Sequence, residues 1–308
     1  MMARKSRIIL HGKQAANQEL RDAVAAVRED GHQIEVRVTW EAGDAGLFAA
    51  QAAKEGVDTV IAGGGDGTVN EVLNGLVQVE GGSSALGVIP LGTANDFARS
   101  AGIPLQLEGA LRVAVETEPV AVDVGRSGDR AFMNVATGGF GTEVTVNTNP
   151  KLKRLLGGAA YFITGLGRFS ELEPVPIRLR GPDLDWEGKL LVLAVGNARQ
   201  AGGGHVLCPD AVLDDGLLDI GVLPDVPEDQ QSEAISALMT HGMQAVKDAA
   251  LYWRVPWVEI EAPKGIYVNL DGEPTHATHH RFEVEPRRLK LHLPESTSLL
   301  TSSEHGSK

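Results

Sequence analysis

Apolar positions in the first 120 residues fall into two alternating periods. Ile8–Leu10 forms a short apolar run, and Leu20, Ala23, Val24 and Val27 then recur at i, i+3, i+4 and i+7, the spacing of one helix face. Ile34–Val38 alternates as a strand, and Asp44 is placed to cap a helix running to about Glu55. Val57–Ala62 is a buried strand ending in Gly63-Gly64-Gly65, and Val69, Val72, Leu73, Leu76 and Val77 mark a helix starting near Val69. Leu86–Ile89 is a fourth strand. The order βαβαβαβ predicts an α/β domain, a parallel sheet with helices on both faces.

Beyond about Val120 the pattern changes. Short β-rich runs follow one another at 120–124, 131–135, 175–180, 190–195, 217–223, 257–261, 266–270, 281–285 and 289–293, separated by turn residues. This predicts an all-β sandwich domain, with a helical insertion at about Pro227–Val246. The expected domains are residues 1–122, 123–296 and a polar tail, 297–308, either disordered or packed back on the first domain.

Charge narrows the partners. The chain has a formal net charge of −13, so a nucleic-acid backbone would be repelled and no nucleic-acid partner is expected. An anionic ligand must be met by backbone amides, a metal ion or a local basic cluster. The single cysteine, Cys208, excludes an internal disulfide and fits a reducing compartment, where it reads as a small buried apolar residue. No apolar run approaches 18 residues and the N-terminal one is too short for a signal peptide, so a cytoplasmic protein is expected.

Ligands of open parallel sheets gather beyond the carboxyl ends of the strands. Thr39 ends the second strand, Gly63-Gly64-Gly65-Asp66-Gly67-Thr68 the third, and Leu91-Gly92-Thr93-Ala94-Asn95-Asp96 the fourth. Glycines let the backbone approach a phosphate and aim N–H groups at it, and the following helix adds its positive end. Thr68 and Thr93 offer hydroxyls, while Val69, Asn70 and Glu71 lie in the first helical turn. The loop lacks both the dinucleotide fingerprint and the Gly-Lys-Ser/Thr of a Walker loop, so it expects phosphate without the usual lysine.

GGGDGTVNEV followed by PLGTANDFAR resembles the diacylglycerol-kinase catalytic-domain superfamily, which includes sphingosine kinases and bacterial lipid kinases. NVATGGFGTE, GNARQAGGG, LCPDAVLDDGLLD and NLDGEP extend the resemblance, in its YegS-like branch, over nearly the whole chain. It implies a kinase with an N-terminal nucleotide domain, a C-terminal β-sandwich and an active site in the cleft, which uses ATP and Mg²⁺ to phosphorylate a phospholipid. The YegS-like branch suggests phosphatidylglycerol as acceptor, with diacylglycerol as the alternative.

The acidic stretches read differently with and without that resemblance. Asp271-Gly272 alone is a common hairpin turn. The resemblance makes Glu273 the proton acceptor and Asp271 a supporting acid or metal contact. Asp214-Asp215 at a glycine turn can hold Mg²⁺ or Ca²⁺. The resemblance assigns a structural magnesium to the Asp215 carboxylate and the carbonyls of Val212 and Leu217. It also expects a Mg²⁺ bound with ATP, organised through water by Asp66 or Asp96.

Other groups read as structural. His276, His279 and His280 in THATHH are expected in a surface loop, and Arg199 is weighed as a clamp for a lipid phosphate. Residues 151–169 carry Lys151, Lys153, Arg154 and Arg168, no acid, and apolar positions at helical spacing. That is the composition of either a helix docking transiently on an anionic membrane or a helix packed on the β-domain. Two further functions remain: a kinase for NAD or another small molecule, and a nucleotide- or lipid-binding module without activity. The sequence says nothing about oligomeric state.

Overall fold

The computed structural model describes residues 4–139, 173–241, 243–270 and 273–301. It divides into two compact units. One comprises the described residues of Met1–Met133, Val212–Gly216 and Glu285–Lys308, and the other those of Asn134–Ala211 and Leu217–Val284.

The first unit is the expected α/β layer structure. Strands β1 (Lys5–Leu10), β2 (Gln33–Val38), β3 (Thr59–Gly64) and β4 (Ala85–Pro90) form a parallel sheet. Ile8 pairs with Val36 on one side and Ile61 on the other, and Ile61 pairs with Gly87, giving the order β2-β1-β3-β4. Helices α1 (Gln18–Glu29), α2 (Asp44–Lys54), α3 (Asp66–Val77), α4 (Asp96–Ser100) and α5 (Leu107–Glu116) accompany it. α1 begins where the Asn17 side chain accepts the Leu20 N–H at 3.1 Å, and its periodic residues Leu20, Ala23, Val24 and Val27 are all buried. They pack with Ile8, Ile61, Ile89 and Leu111, and each fully buried isoleucine contributes roughly 1.5–3 kcal/mol. β5 (Val120–Ser127) and β6 (Arg130–Phe132) complete the N-terminal stretch of this unit.

Three expectations change. α2 is not capped by Asp44: Gly43 holds the N-cap, and the Asp44 carboxylate reaches back to accept the N–H of Trp40 at 2.7 Å and Glu41 at 3.0 Å. Those donors hold its pKa below the usual carboxylate range. α3 begins at Asp66 rather than near Val69, so Asp66, Gly67 and Thr68 are its first turn. α4 and α5 fall in a stretch from which the apolar period read no helix.

The second unit is antiparallel. It contains β7 (Val135–Gly139), β8 (Val175–Gly181), β9 (Leu184–Gly196), the short pair β10 (Gln200–Ala201) and β11 (His205–Val206), β12 (Leu218–Pro224), β13 (Leu251–Val255), β14 (Trp257–Leu270) and most of β15 (Glu273–Leu291). β9 and β14 each pair with β7 near one end and β8 near the other. Runs read as separate strands at 257–261 and 266–270 are one irregular strand, and 281–285 and 289–291 belong to another. Helices α6 (Gln231–His241) and α7 (Met243–Ala249) form the expected insertion. Cys208 is fully buried beside Val135, Ala194 and Ala211. Among the described residues, no helix is long and apolar enough to cross a membrane.

Candidate functional site

The carboxyl ends of the four parallel strands are tied into one rim. His11 N–H donates to the Gly63 carbonyl at 2.9 Å, Thr39 N–H to Leu10 at 2.9 Å, and Leu91 N–H to Gly64 at 2.8 Å. The Thr39 hydroxyl accepts the Gly12 N–H at 3.1 Å, and the Gln14 amide donates to the Leu91 carbonyl at 3.0 Å. The loops read separately from sequence therefore share a hydrogen-bonded frame.

The two glycine-rich loops also meet directly. A Cβ on Gly92 would lie 2.5 Å from Gly65 Cα, and one on Gly65 would lie 3.1 Å from Gly92 Cα. Glycine is needed at 92 for this contact, and a methyl at 65 would be tight against it. Asn95 locks the second loop by accepting the Gly92 N–H at 2.8 Å and donating to the Gly92 carbonyl at 2.9 Å. Its own backbone is left-handed, φ 52°, a conformation asparagine tolerates better than most residues. The Asp66 carboxylate then accepts the N–H of Asp96 at 3.1 Å and Phe97 at 3.0 Å. One acid thus opens α3 and caps the start of α4.

What remains open is the N-terminus of α3. Val69 N–H bonds the Gly65 carbonyl at 3.1 Å, and no side chain caps the helix. The N–H groups of Asp66, Gly67 and Thr68 precede the first intrahelical bond. A Cβ on Gly67 would meet nothing within 4 Å, and this glycine has no left-handed backbone to explain it. Gly67 therefore faces free space beside unpaired helix-end donors, the geometry of an anion site.

The other expected residues divide by burial. Thr93 and Glu71 are exposed and Asn70 is half-buried. Thr68 is buried, 7% exposed, with its side chain against Gly64. Val69 is buried among core residues. Gly63 packs over Ile8 and Leu10. Asn70 meets Asn74: the Asn74 amide donates to the Asn70 carbonyl at 2.9 Å and the Asn70 side chain at 3.1 Å, and also to the Ala131 carbonyl at 2.9 Å.

The acids of the second half are distributed as follows. Asp271 lies outside the described residues, and Glu273 opens β15, paired with Leu270. Residues 151–169 also lie outside them. Val212 and Asp215 belong to the first unit and Leu217 to the second. Gly216 N–H donates to Asp123 at 2.7 Å, and Asp214 accepts both the N–H and the hydroxyl of Thr301, at 2.7 and 2.8 Å. Of the paired aspartates, Asp214 thus holds the chain at Thr301. The stretch offers only oxygen donors, a set suited to Mg²⁺ or Ca²⁺. Among the described residues, no group of three His, Cys, Asp or Glu side chains gathers as a metal cluster.

One structural reading is corrected. THATHH is part of β15, not a loop: His276 and His279 are exposed, while His280 is buried, 3.3 Å from the Ile266 carbonyl. Burial lowers the His280 pKa. Arg199 is anchored through its Nε, which donates to the Ala211 carbonyl at 2.8 Å.

Gly12 and Gln14 join the rim although the apolar pattern assigns them no role. Gly12 and Gln14 follow the first strand on the same rim as the loops after strands two to four.

Comparison with known proteins covers both parts of the chain. Residues 6–127 match the diacylglycerol kinase catalytic domain, and residues 134–293 match the YegS C-terminal NAD kinase beta sandwich-like domain. A protein named "Probable lipid kinase YegS-like" from Pseudomonas syringae is 49% identical over 300 residues, covering 97% of each chain. One of the same name from Pseudomonas aeruginosa is 50% identical over 293 residues, covering 95% of each. A solved diacylglycerol kinase structure from Bacillus anthracis has a TM-score of 0.79 at 24% identity, covering 96% of this chain and 99% of that one, and supports the fold.

Proposed function

The chain belongs to the diacylglycerol kinase catalytic-domain family, among its YegS-like lipid kinases, and from that membership we propose how its residues divide the reaction. The enzyme is a phosphotransferase that acts on a lipid alcohol. In the proposed reading, ATP is the donor and lies along Gly63–Glu71 and Leu91–Asp96, with Thr39 at its edge. The observation that carries this reading is the uncapped start of α3 beside Gly67. The N–H groups of Asp66, Gly67 and Thr68 take the place of the absent Walker lysine, and Thr93 adds an exposed hydroxyl. Asp66 and Asn95 hold the two loops in register, and Asp66 or Asp96 would organise, through water, a Mg²⁺ bound with ATP.

The proposed acceptor is phosphatidylglycerol, with diacylglycerol as the alternative. Glu273 takes the proton of the lipid hydroxyl as its oxygen bonds to the γ-phosphorus and the bond to the β-phosphate oxygen breaks, releasing ADP. Asp271 supports that acid. Mg²⁺ bound with ATP would supply charge neutralisation at the phosphates. Asp215, with the carbonyls of Val212 and Leu217, would hold a second Mg²⁺ or Ca²⁺. In this reading residues 1–122 hold nucleotide and 123–296 hold lipid.

The basic composition of residues 151–169 supports transient docking of a cytoplasmic enzyme on an anionic bilayer. Changing Lys151, Lys153 and Arg154 to glutamate is expected to abolish sedimentation with anionic vesicles. Unchanged sedimentation would remove that role. The acceptor itself is tested by incubating the enzyme with ATP and total bacterial lipid extract. A phosphorylated phosphatidylglycerol in the mass spectrum supports the reading, and phosphatidic acid alone would replace the acceptor by diacylglycerol.

A further inference from the structure

A further cavity lies within the first unit, at the other end of the parallel strands. A cavity of about 170 Å³ is lined by Val77, Ser83, Arg287, Arg288, Leu289 and Lys290 among others. Ser83 precedes β4 and Val77 ends α3, so the cavity sits at the amino ends of the strands, away from the rim at their carboxyl ends. Its volume corresponds to about five or six waters, enough for a phosphate group with part of its hydration.

Three cations lie within four residues of a chain whose net charge is −13. Arg288 is committed: it donates to the Val77 carbonyl and lies 3.4 Å from Glu285. Glu285 is itself shared with Arg126, at 2.7 and 3.2 Å. Among the described residues, no carboxylate pairs with the side chains of Arg287 or Lys290, which are exposed, and the Ser83 hydroxyl is exposed too.

The backbone of Arg287 adds an independent sign. It is left-handed, φ 52°, a costly conformation for a long side chain. It is held by Asp123, 1% exposed, whose carboxylate accepts the Arg287 N–H at 2.7 Å and, on its other oxygen, the Gly216 N–H at 2.7 Å. A buried acid with both oxygens engaged thus holds a strained cationic residue at a cavity mouth. Solvated surface charge needs neither the strain nor the cavity.

We propose that this cavity binds a phosphate-bearing anion, with Arg287, Lys290 and Ser83 as its donors. The phosphate can come from a lipid headgroup or from free phosphate. α3 runs from the nucleotide rim at Asp66 to the cavity at Val77, so one helix touches both places.

The test is arginine modification of the full chain by phenylglyoxal, read peptide by peptide by mass spectrometry. Inorganic phosphate is expected to slow modification of Arg287 about tenfold at about ten times its Kd. Arg281, already paired with Glu259 and Glu283, serves as the control whose rate phosphate leaves unchanged. Phosphatidylcholine vesicles with and without phosphatidylglycerol form the other arm. Protection by phosphate identifies free phosphate as a ligand; protection only by phosphatidylglycerol vesicles identifies the headgroup. Ser83→Asp, at an exposed position, is expected to abolish protection in whichever arm shows it, with Tm unchanged. Equal rates with and without both ligands, protection by phosphatidylcholine alone, or full protection retained in Ser83→Asp would overturn the proposal.

Discussion

The carboxylate of Asp66 accepts the backbone N–H of Asp96 at 3.1 Å, joining the two loops that end β3 and β4. Its other oxygen accepts Phe97 N–H at 3.0 Å. Asp66→Ala is expected to cost about 1–2 kcal/mol, the scale of a lost helix cap. Hydrogen exchange should show the Asp96 and Phe97 amides losing protection before the rest of the sheet. Retained protection at both amides would show that other contacts hold the loop.

The glycines of the rim separate into packing and access. Gly92→Ala forces a methyl to within 2.5 Å of Gly65 Cα and is expected to destabilise the fold by about 1–3 kcal/mol. Gly67→Ala meets open space and is expected to leave urea stability equal or up to about 1 kcal/mol higher. It should nevertheless raise the Kd for ATP by about tenfold or more, near 1.4 kcal/mol, because the methyl occupies the anion's approach. Undiminished ATP binding by Gly67→Ala would place the phosphates elsewhere.

Much of this was legible beforehand, for reasons that differ by residue. The four strands and α1 were readable because Ile8, Leu20, Val27 and Ile61 carry their burial in their spacing. The glycine loops were readable as strand-end turns on one rim, but Gly65 and Gly92 owe their identity to each other across 27 residues of sequence. No local period encodes that contact. Thr68 is buried against Gly64, a placement that no local period encodes. The grouping of 212–216 and 285–301 with the first unit depends on four bonds made by Asp123, Leu213 and Leu299, three of which span 90 residues or more.

Buried His292 carries a pH dependence. It is 1% exposed and lies 3.1 Å from the Thr59 hydroxyl and 3.2 Å from that of Thr117. Burial, with Arg4 adding repulsion, lowers its pKa from 6.5 to about 4. The unfolded chain therefore binds a proton below pH 6.5 that the folded chain refuses until about pH 4. This contribution to stability is full above pH 6.5 and is lost as pH falls through that window, by up to about 3 kcal/mol. Urea unfolding at pH 7 and pH 4.5 should show the loss, and His292→Asn should reduce it. An identical pH slope in the variant would assign the loss to other groups.

Glu273→Gln tests the proposed base. Turnover is expected to fall by about 100-fold or more, while the Kd for ATP stays within about twofold. Near-normal turnover would transfer the role to another acid.

The central claim is transfer of the γ-phosphate of ATP to a lipid hydroxyl. The most direct measurement offers the purified enzyme γ-labelled ATP and Mg²⁺ with phosphatidylglycerol, diacylglycerol and NAD in parallel, with products resolved by thin-layer chromatography. The account predicts label in phosphatidylglycerol, with diacylglycerol the only alternative acceptor. Label in NAD, or in no lipid at all while ATP still binds, would contradict it.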